Sequence, residues 1–343
     1  MNRERFDQIT DRYRKLRIAV VGDVCLDRYL EIDPALAETS IETGLPVHNV
    51  TNVRAQAGAA GTIVNNLVAL GVQRISVVGF AGRDGEGFEL MQALRKLCGV
   101  HLEHFVETPH RRTFTYTKPM LAGRELSRLD LKNWSLTPAD VEKKIIGGIR
   151  ALAGEVDAFI IMDQVDVAET GVVTAAVRAA IGEIARAHPS LPILADSRRS
   201  LRDWPPVTMK MNGTELGRLM ERDLSDLTDV PDAAANLATK TGRPVFITLA
   251  ENGMVGATPE SATHRAPALP IRGEIDIVGA GDAVSANLCA ALAAGAEVPE
   301  ALELANAAAS VVIHQLGTTG TATVEQIAGL LFGASKPERR DGT

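Results

Sequence analysis

Short apolar runs alternate with stretches of helical period along most of the chain. The run 17–22, RIAVVG, holds four apolar residues between Arg and Gly and predicts a buried strand. A helix is predicted over 58–70, closed by Gly71. A second strand and helix follow at 74–80 and 85–97, with Gly99 after them. Further strands are predicted at 156–162, 191–195 and 245–249, and helices over 167–187, 280–294 and 299–316. Strands separated by helices imply βαβ units. The predicted fold class is therefore α/β, with a central, mostly parallel sheet flanked by helices.

Two stretches, 42–53 and 112–131, break this rhythm. Both read as extended, and 113–117 and 124–130 flank a turn at 119–123 like a hairpin. We read them as a small β lid, within segments of about 30–56 and 110–131, that covers ligand at the strand ends of the sheet. The plainer alternative is a pair of surface hairpins with no role.

The composition is that of a globular chain: 343 residues, 45% apolar and 23% charged. A net charge of −7, only 4% aromatic residues and no basic stripe argue against nucleic-acid binding. No apolar run of about 18 residues predicts a membrane span. The charged start, MNRERFDQITDRYRKLR, lacks the apolar core of a signal peptide, so the expected location is the cytoplasm. Cys25, Cys98 and Cys289 are odd in number and far apart, which suits a reducing compartment. Residues 1–16 read as an N-terminal extension and 333–343 as a flexible tail. Because the chain ends soon after its last predicted helix, no second catalytic domain is expected.

The strongest chemical signal is Asp276-Ile-Val-Gly279-Ala280-Gly281-Asp282 at the entrance of a helix. Small residues there expose backbone N–H groups, and the helix end adds positive potential, so the turn is an anion site. A carboxylate beside bound phosphate makes sense if Asp282 accepts the proton of a hydroxyl that attacks a phosphoryl group. The plain alternative makes Asp282 the N-cap of an ordinary core helix. Asn212-Gly-Thr-Glu215 carries a second polar pair, which by itself also reads as a capping box. His101, His104 and His110 have no matching Cys or carboxylate spacing and read as surface or structural residues.

These motifs, in this order over about 17–332, resemble the ribokinase-like (PfkB-type) carbohydrate kinases. Within that family the chain is most similar to the heptose 7-phosphate kinases, whose start is like Gly22-Asp23-Val-Cys-Leu-Asp27-Arg28-Tyr29. The resemblance implies one kinase domain over 17–332 with Asp282 as catalytic base and Gly279, Ala280 and Gly281 as anion hole. It implies ATP and Mg²⁺, with Glu215 and Asn212 acting on the metal mostly through water. It leaves a monovalent cation open. Thr248, Asn252, Gly253, Asn306 and Gly317 would line the nucleotide, with Asn212 and Arg198 on its phosphates. Alternatively, Arg198 and Arg199 are solvated surface charge. Asp27, Gly58, Asn65 and Arg128 would bind the acceptor, with Gly58 letting the backbone approach the sugar. The partner is a small sugar or sugar phosphate, and a homodimer would form through the lid.

Departures from the family pattern cluster at the acceptor. Gly61 stands where those kinases carry a sugar-binding Asn, after Ala57-Gly58-Ala59-Ala60 in place of Gly-Gly-Ala-Ala. Gln164 stands in place of Tyr, and Val278 in place of Thr. The leading expectation is an ATP-dependent sugar or sugar-phosphate kinase with an altered acceptor. The alternatives are a nucleoside or other small-alcohol kinase, or a kinase-shaped regulatory binding protein.

Overall fold

A computed structural model describes residues 1–333. Gly333 apart, the tail expected over 333–343 falls outside the described residues. The chain forms two compact units, one of Met1–Leu16, Asn66–Gln73 and the chain from Thr208 onward, the other of Arg17–Asn65 and Arg74–Val207. The α/β fold with mostly parallel strands and flanking helices is present.

In the second unit the order is Ile193–Ser197, Ala158–Asp163, Arg17–Gly22, Arg74–Gly82, all parallel. Val100–His101 and Phe105–Thr108 both join Arg74–Gly82, again in parallel. These strands are buried nearly throughout, which is why they read as continuous apolar runs rather than alternating ones. The helix Ala139–Leu152 packs against Arg74–Gly82 and against the helix Ala175–Ala187.

The same unit carries a five-stranded sheet in the region expected of the lid. Val24–Ile32 lies between Val50–Ala59, antiparallel, and Thr115–Leu121, parallel. Arg124–Glu125 and Leu129–Leu131 add to the far side of Thr115–Leu121. The expected turn at 119–123 is narrower: the strand runs through Pro119 to Leu121, and Ala122 and Gly123, at φ 49° and 77°, make a two-residue turn. The helix expected over 58–70 begins at Ala60, because pairing with Val24–Ile32 holds residues to Ala59 in the strand. The helix expected over 167–187 begins at Ala175, capped by the Thr174 hydroxyl, which accepts from Val177 N–H. Residues ahead of it are held by distant partners: a buried carboxylate takes Val172 N–H, and Thr137 and Arg111 take the carbonyls of Glu169, Gly171 and Thr170.

In the first unit, Thr208–Asn212 pairs in parallel with Val245–Thr248, and Met254–Ala257 and Thr263–Ala266 continue the sheet antiparallel. The helices Val230–Thr241 and Val298–Val312 pack against it. The helix Ala280–Ala293 lies along Val298–Val312 and is buried on nearly every side, as its Ala-rich, uncharged body requires. The N-terminal segment is a packed element here. The helix Arg3–Thr10 buries Phe6 and Ile9, and Phe6 meets Phe332 edge-on at 5.3 Å.

Candidate active site

The turn before the helix Ala280–Ala293 supplies the first half of the site. Gly279 is the N-cap at φ 85°, a left-handed conformation that suits glycine, and it offers no capping side chain. Ala283 N–H makes the first helical bond, to Gly279 O, so Gly281 falls in the first turn, where backbone N–H groups have no acceptor within the helix. Ala280 differs from expectation: its N–H turns back to Ile277 O at 3.2 Å. Asp282 sits in the first helical turn, not at the cap, so the reading of it as an N-cap is set aside. It retains 7% of its surface, which keeps the carboxylate largely away from bulk water.

Lys210, which the sequence reading missed, joins this turn. It lies in the strand Thr208–Asn212 at 6% exposure, and its Nζ stands 3.1 Å from where a Cβ on Gly281 would be. A lysine inside an apolar strand (TMKMN) is itself the signal, since lysine is almost never fully buried without a role or partner. It adds a positive charge to this turn.

Asn212 and Glu215 form a complete capping box. Asn212 Oδ1 accepts Glu215 N–H at 2.8 Å, and Glu215 Oε2 accepts Asn212 N–H at 2.7 Å. The second carboxylate oxygen, Oε1, remains for a metal-bound water, so the pair fits Mg²⁺, which keeps several waters and few protein ligands.

Around this site Thr248 ends its strand, with its hydroxyl 3.5 Å from Met211 O. Asn252 closes a short 3₁₀ turn, and Gly253 follows at φ 79°, where a Cβ would sit 2.1 Å from Ala266 O. Asn306 donates to Pro267 O at 2.7 Å, and Gly317 N–H donates to Asp276 Oδ2 at 3.3 Å. Val278 N–H donates to the other oxygen, Oδ1. Asp276 thereby ties the phosphate turn to the Gly317 loop.

The acceptor candidates lie in the second unit, on the five-stranded sheet. Asp27 is 5% exposed and pairs in register with Gln56 on one side and Tyr116 on the other. Burial raises its pKa, opposed by the charges of Lys118 and Arg128. At Gly58 a Cβ would sit 2.3 Å from Asp27 Oδ2 and 2.8 Å from Cys25 Sγ, so the glycine makes room for those side chains. Asn65 donates to Ala57 O at 3.2 Å. Arg128 forks onto Asp130 at 2.7 and 3.0 Å and covers the Tyr116 ring at 4.4 Å. Lys118 lies over the Tyr29 ring at 5.0 Å. Asp27 is thus surrounded by Lys118, by Arg128 in its pair with Asp130, by the Glu125 charge and by two tyrosines.

Behind it, Asp23 is 4% exposed and accepts backbone N–H groups from Gln164, Val165 and Val172 at 2.9, 3.3 and 2.7 Å. The last of these bonds takes a donor that a helix from 167 would need. Burial pushes the Asp23 pKa up to about 6, with the nearby Asp163 charge adding to it. Arg111 clamps the same loop by its carbonyls, donating to Ser135, Leu136 and Thr170. Gln164, set by this clamp, is 3.4 Å from Tyr116 Oη and accepts from Arg198 Nε at 3.3 Å. The reading of the pair as solvated charge fails for Arg199, which donates to Asp163 at 2.9 and 3.1 Å and to Val173 O, while Arg198 is exposed.

Gly61 has a physical reason as well. A Cβ there would fall 2.5 Å from Ala57 Cβ and 3.2 Å from Val24 Cγ1. The methyl that this chain carries at Ala57 occupies the space that a side chain at 61 would need.

The model for "pfkB family carbohydrate kinase" matches residues 15–325. The chain belongs to this family. As a pfkB kinase it is an ATP-dependent phosphotransferase with an alcohol group of a sugar or sugar phosphate as acceptor. It is 30% identical over 344 residues to the "Bifunctional protein HldE" of Pelobacter propionicus, covering 99% of this chain and 68% of that one. It is 30% identical over 321 residues to the HldE protein of Azorhizobium caulinodans, covering 91% and 64%. The chain therefore spans about two thirds of the length of these relatives. Among solved structures it is similar to an Arabidopsis thaliana ribokinase complexed with ribose and ATP, at TM-score 0.67 and 20% identity, covering 92% of this chain and 99% of that one. Phosphofructokinase-2 of Escherichia coli, in complex with substrates and products, also gives TM-score 0.67, at 16% identity over 92% and 98%. These two likenesses show a common fold. No helix among the described residues is long and apolar enough to cross a membrane.

Proposed function

We propose that this kinase transfers the γ-phosphoryl group of ATP to a hydroxyl of a sugar phosphate, with Asp282 as general base. The observation that carries this reading is the phosphate turn: small residues at a helix start, Lys210 against Gly281, and the Asp282 carboxylate in the first helical turn. The amides and Lys210 stabilise charge that builds on the transferring group, and in a shielded site such groups act more strongly than in water. Asp282 takes the proton of the attacking hydroxyl. Thr248, Asn252, Gly253, Asn306 and Gly317 hold the nucleotide, and Arg198 and Asn212 its phosphates. Mg²⁺, held through water by Glu215 and Asn212, offsets phosphate charge when bound.

The acceptor is held by Asp27, which accepts hydrogen bonds from sugar hydroxyls, with Asn65 beside it. Lys118 and Arg128 next to Asp27 favour an anionic acceptor over a neutral one. The five-stranded sheet acts as the lid.

The test is ADP release by wild type and Asp282→Asn over a panel of sugars and sugar phosphates. Loss of a general base is expected to lower kcat by about 10²- to 10⁴-fold while nucleotide binding survives. Turnover retained by Asp282→Asn would refute the assignment of the base. A preference for neutral sugars would refute the acceptor class.

A further inference from the structure

The segment 267–279, which leads into the phosphate turn, is fastened along the helix Val298–Val312 and the turn after it. Asn306 donates to Pro267 O, Arg272 Nη2 to Ser310 O at 3.4 Å, and Asp276 N–H to Ile313 O at 2.8 Å. In the middle of this row stands His314. Its Nε2 is 2.8 Å from the backbone nitrogen of Arg272, and its Nδ1 is 2.6 Å from Ser310 O.

The partners fix the state of the ring. A peptide N–H can only donate, so Nε2 must carry its lone pair toward Arg272. A carbonyl oxygen can only accept, so Nδ1 must carry the hydrogen. The arrangement exists only for the neutral Nδ1–H tautomer. A second proton on Nε2 would set two donors against each other. The charged groups of the facing segment are Arg272, Glu274 and Asp276, and the stretch 306–318 carries none besides His314. The Arg272 guanidinium, which shares Ser310 O with the ring, further opposes a positive imidazole. Asp276, the nearest carboxylate placed by hydrogen bonds, is engaged by Val278 N–H and Gly317 N–H.

We infer that His314 is a positioning residue for phosphoryl transfer: as a neutral imidazole accepting Arg272 N–H, it latches the segment 272–279 and so sets the Gly279 turn and the Gly317 loop. The inference rests on reading that turn as the site of the nucleotide phosphates. His314 itself touches neither nucleotide nor acceptor in this scheme. Its effect passes through the backbone of Arg272 to Asp276 and on to Gly279.

The test uses the full chain with His314→Leu, which removes the acceptor, and His314→Gln, whose Oε1 replaces Nε2 without titrating. Hydrogen exchange of the segment 268–279, followed by mass spectrometry, is expected to quicken about five- to tenfold in His314→Leu, as for loss of one hydrogen bond. His314→Gln should restore it. The KM for ATP should rise by a similar factor in His314→Leu, with kcat changing less. Unchanged exchange in His314→Leu overturns the latch, whatever the activity. Faster exchange with no change in KM, or failure of His314→Gln to restore KM along with exchange, overturns the positioning role. Failure of the site reading shows separately, in Asp282→Asn.

Discussion

Ala57 and Gly61 face each other where the strand Val50–Ala59 gives way to the helix Ala60–Ala69. A Cβ added at Gly61 would stand 2.5 Å from Ala57 Cβ, over 1 Å inside ordinary carbon–carbon contact of about 3.5–4.0 Å. Ala57 is 2% exposed and cannot swing aside, because its Cβ is fixed to the strand. Gly61→Ala therefore meets two opposed effects. Overpacking costs about 1–3 kcal/mol. Replacing a helical glycine by alanine returns up to about 1 kcal/mol. The net is a destabilisation of about 1 kcal/mol. Ala57→Gly alone loses a buried methyl, about 0.8 kcal/mol, and adds about 0.5–1 kcal/mol for glycine in a strand. In the double variant the methyl moves from one residue to the other, the clash with Ala57 is gone, Val24 Cγ1 at 3.2 Å has to give by a few tenths of an ångström, and the helix gain remains. The double variant should then be close to wild type, with a favourable coupling of about 2–3 kcal/mol. Urea unfolding of the four proteins, with fluorescence and circular dichroism required to coincide, measures this directly. Additivity within about 0.5 kcal/mol would show that the two residues do not compete for one space. The same background gives a functional arm: Gly61→Asn should be tolerated with Ala57→Gly and not without it.

Gly58→Ala would drive a methyl to 2.3 Å from Asp27 Oδ2, so the acceptor KM should rise about tenfold or more while the KM for ATP stays put; an unchanged acceptor KM would separate Asp27 from substrate binding. Asp23 has a folded pKa of about 6, above its ordinary 3.8, so the folded chain takes up this proton before the unfolded chain does. Its contribution to stability is fully present below about pH 4 and is lost as pH rises through about 6, a difference of about 3 kcal/mol. Wild type should therefore gain on Asp23→Asn between pH 7.5 and pH 4.5, read as the difference in urea midpoints; a gap that does not move with pH would refute the shift.

The parallel strands were legible because burial on both faces leaves an unbroken apolar run, as at Arg17–Gly22 and Ala158–Asp163. The strand Val24–Ile32 was not, since Asp27, Arg28 and Glu31 interrupt it for the sake of the polar sheet it centres. The helix expected from 167 failed for a different reason. Its apolar spacing is helical, but Asp23, about 150 residues earlier in the chain, takes Val172 N–H, Thr137 and Arg111 take the carbonyls of Glu169, Gly171 and Thr170, and no local pattern announces that. The phosphate turn was visible as Gly279 to Asp282, because small residues at a helix entrance have a local meaning. Its cation, Lys210, comes from a different strand and was visible only as an oddity in apolar surroundings. His314 carried no motif; only the two hydrogen bonds of its ring give it a role.

Asn212 and Glu215 hold the start of the helix Gly213–Met220 with the same side chains that are candidates for service to a metal. Any substitution of either residue therefore removes two things together, and a dead variant at these positions says nothing by itself about chemistry. The remedy is a partner set chosen by geometry. Asn212→Ser keeps a cap acceptor while discarding the amide, and Glu215→Gln keeps an oxygen for Asn212 N–H while discarding the charge. Melting temperature and magnesium titration, read side by side on that pair, would tell architecture from metal chemistry in one helical turn.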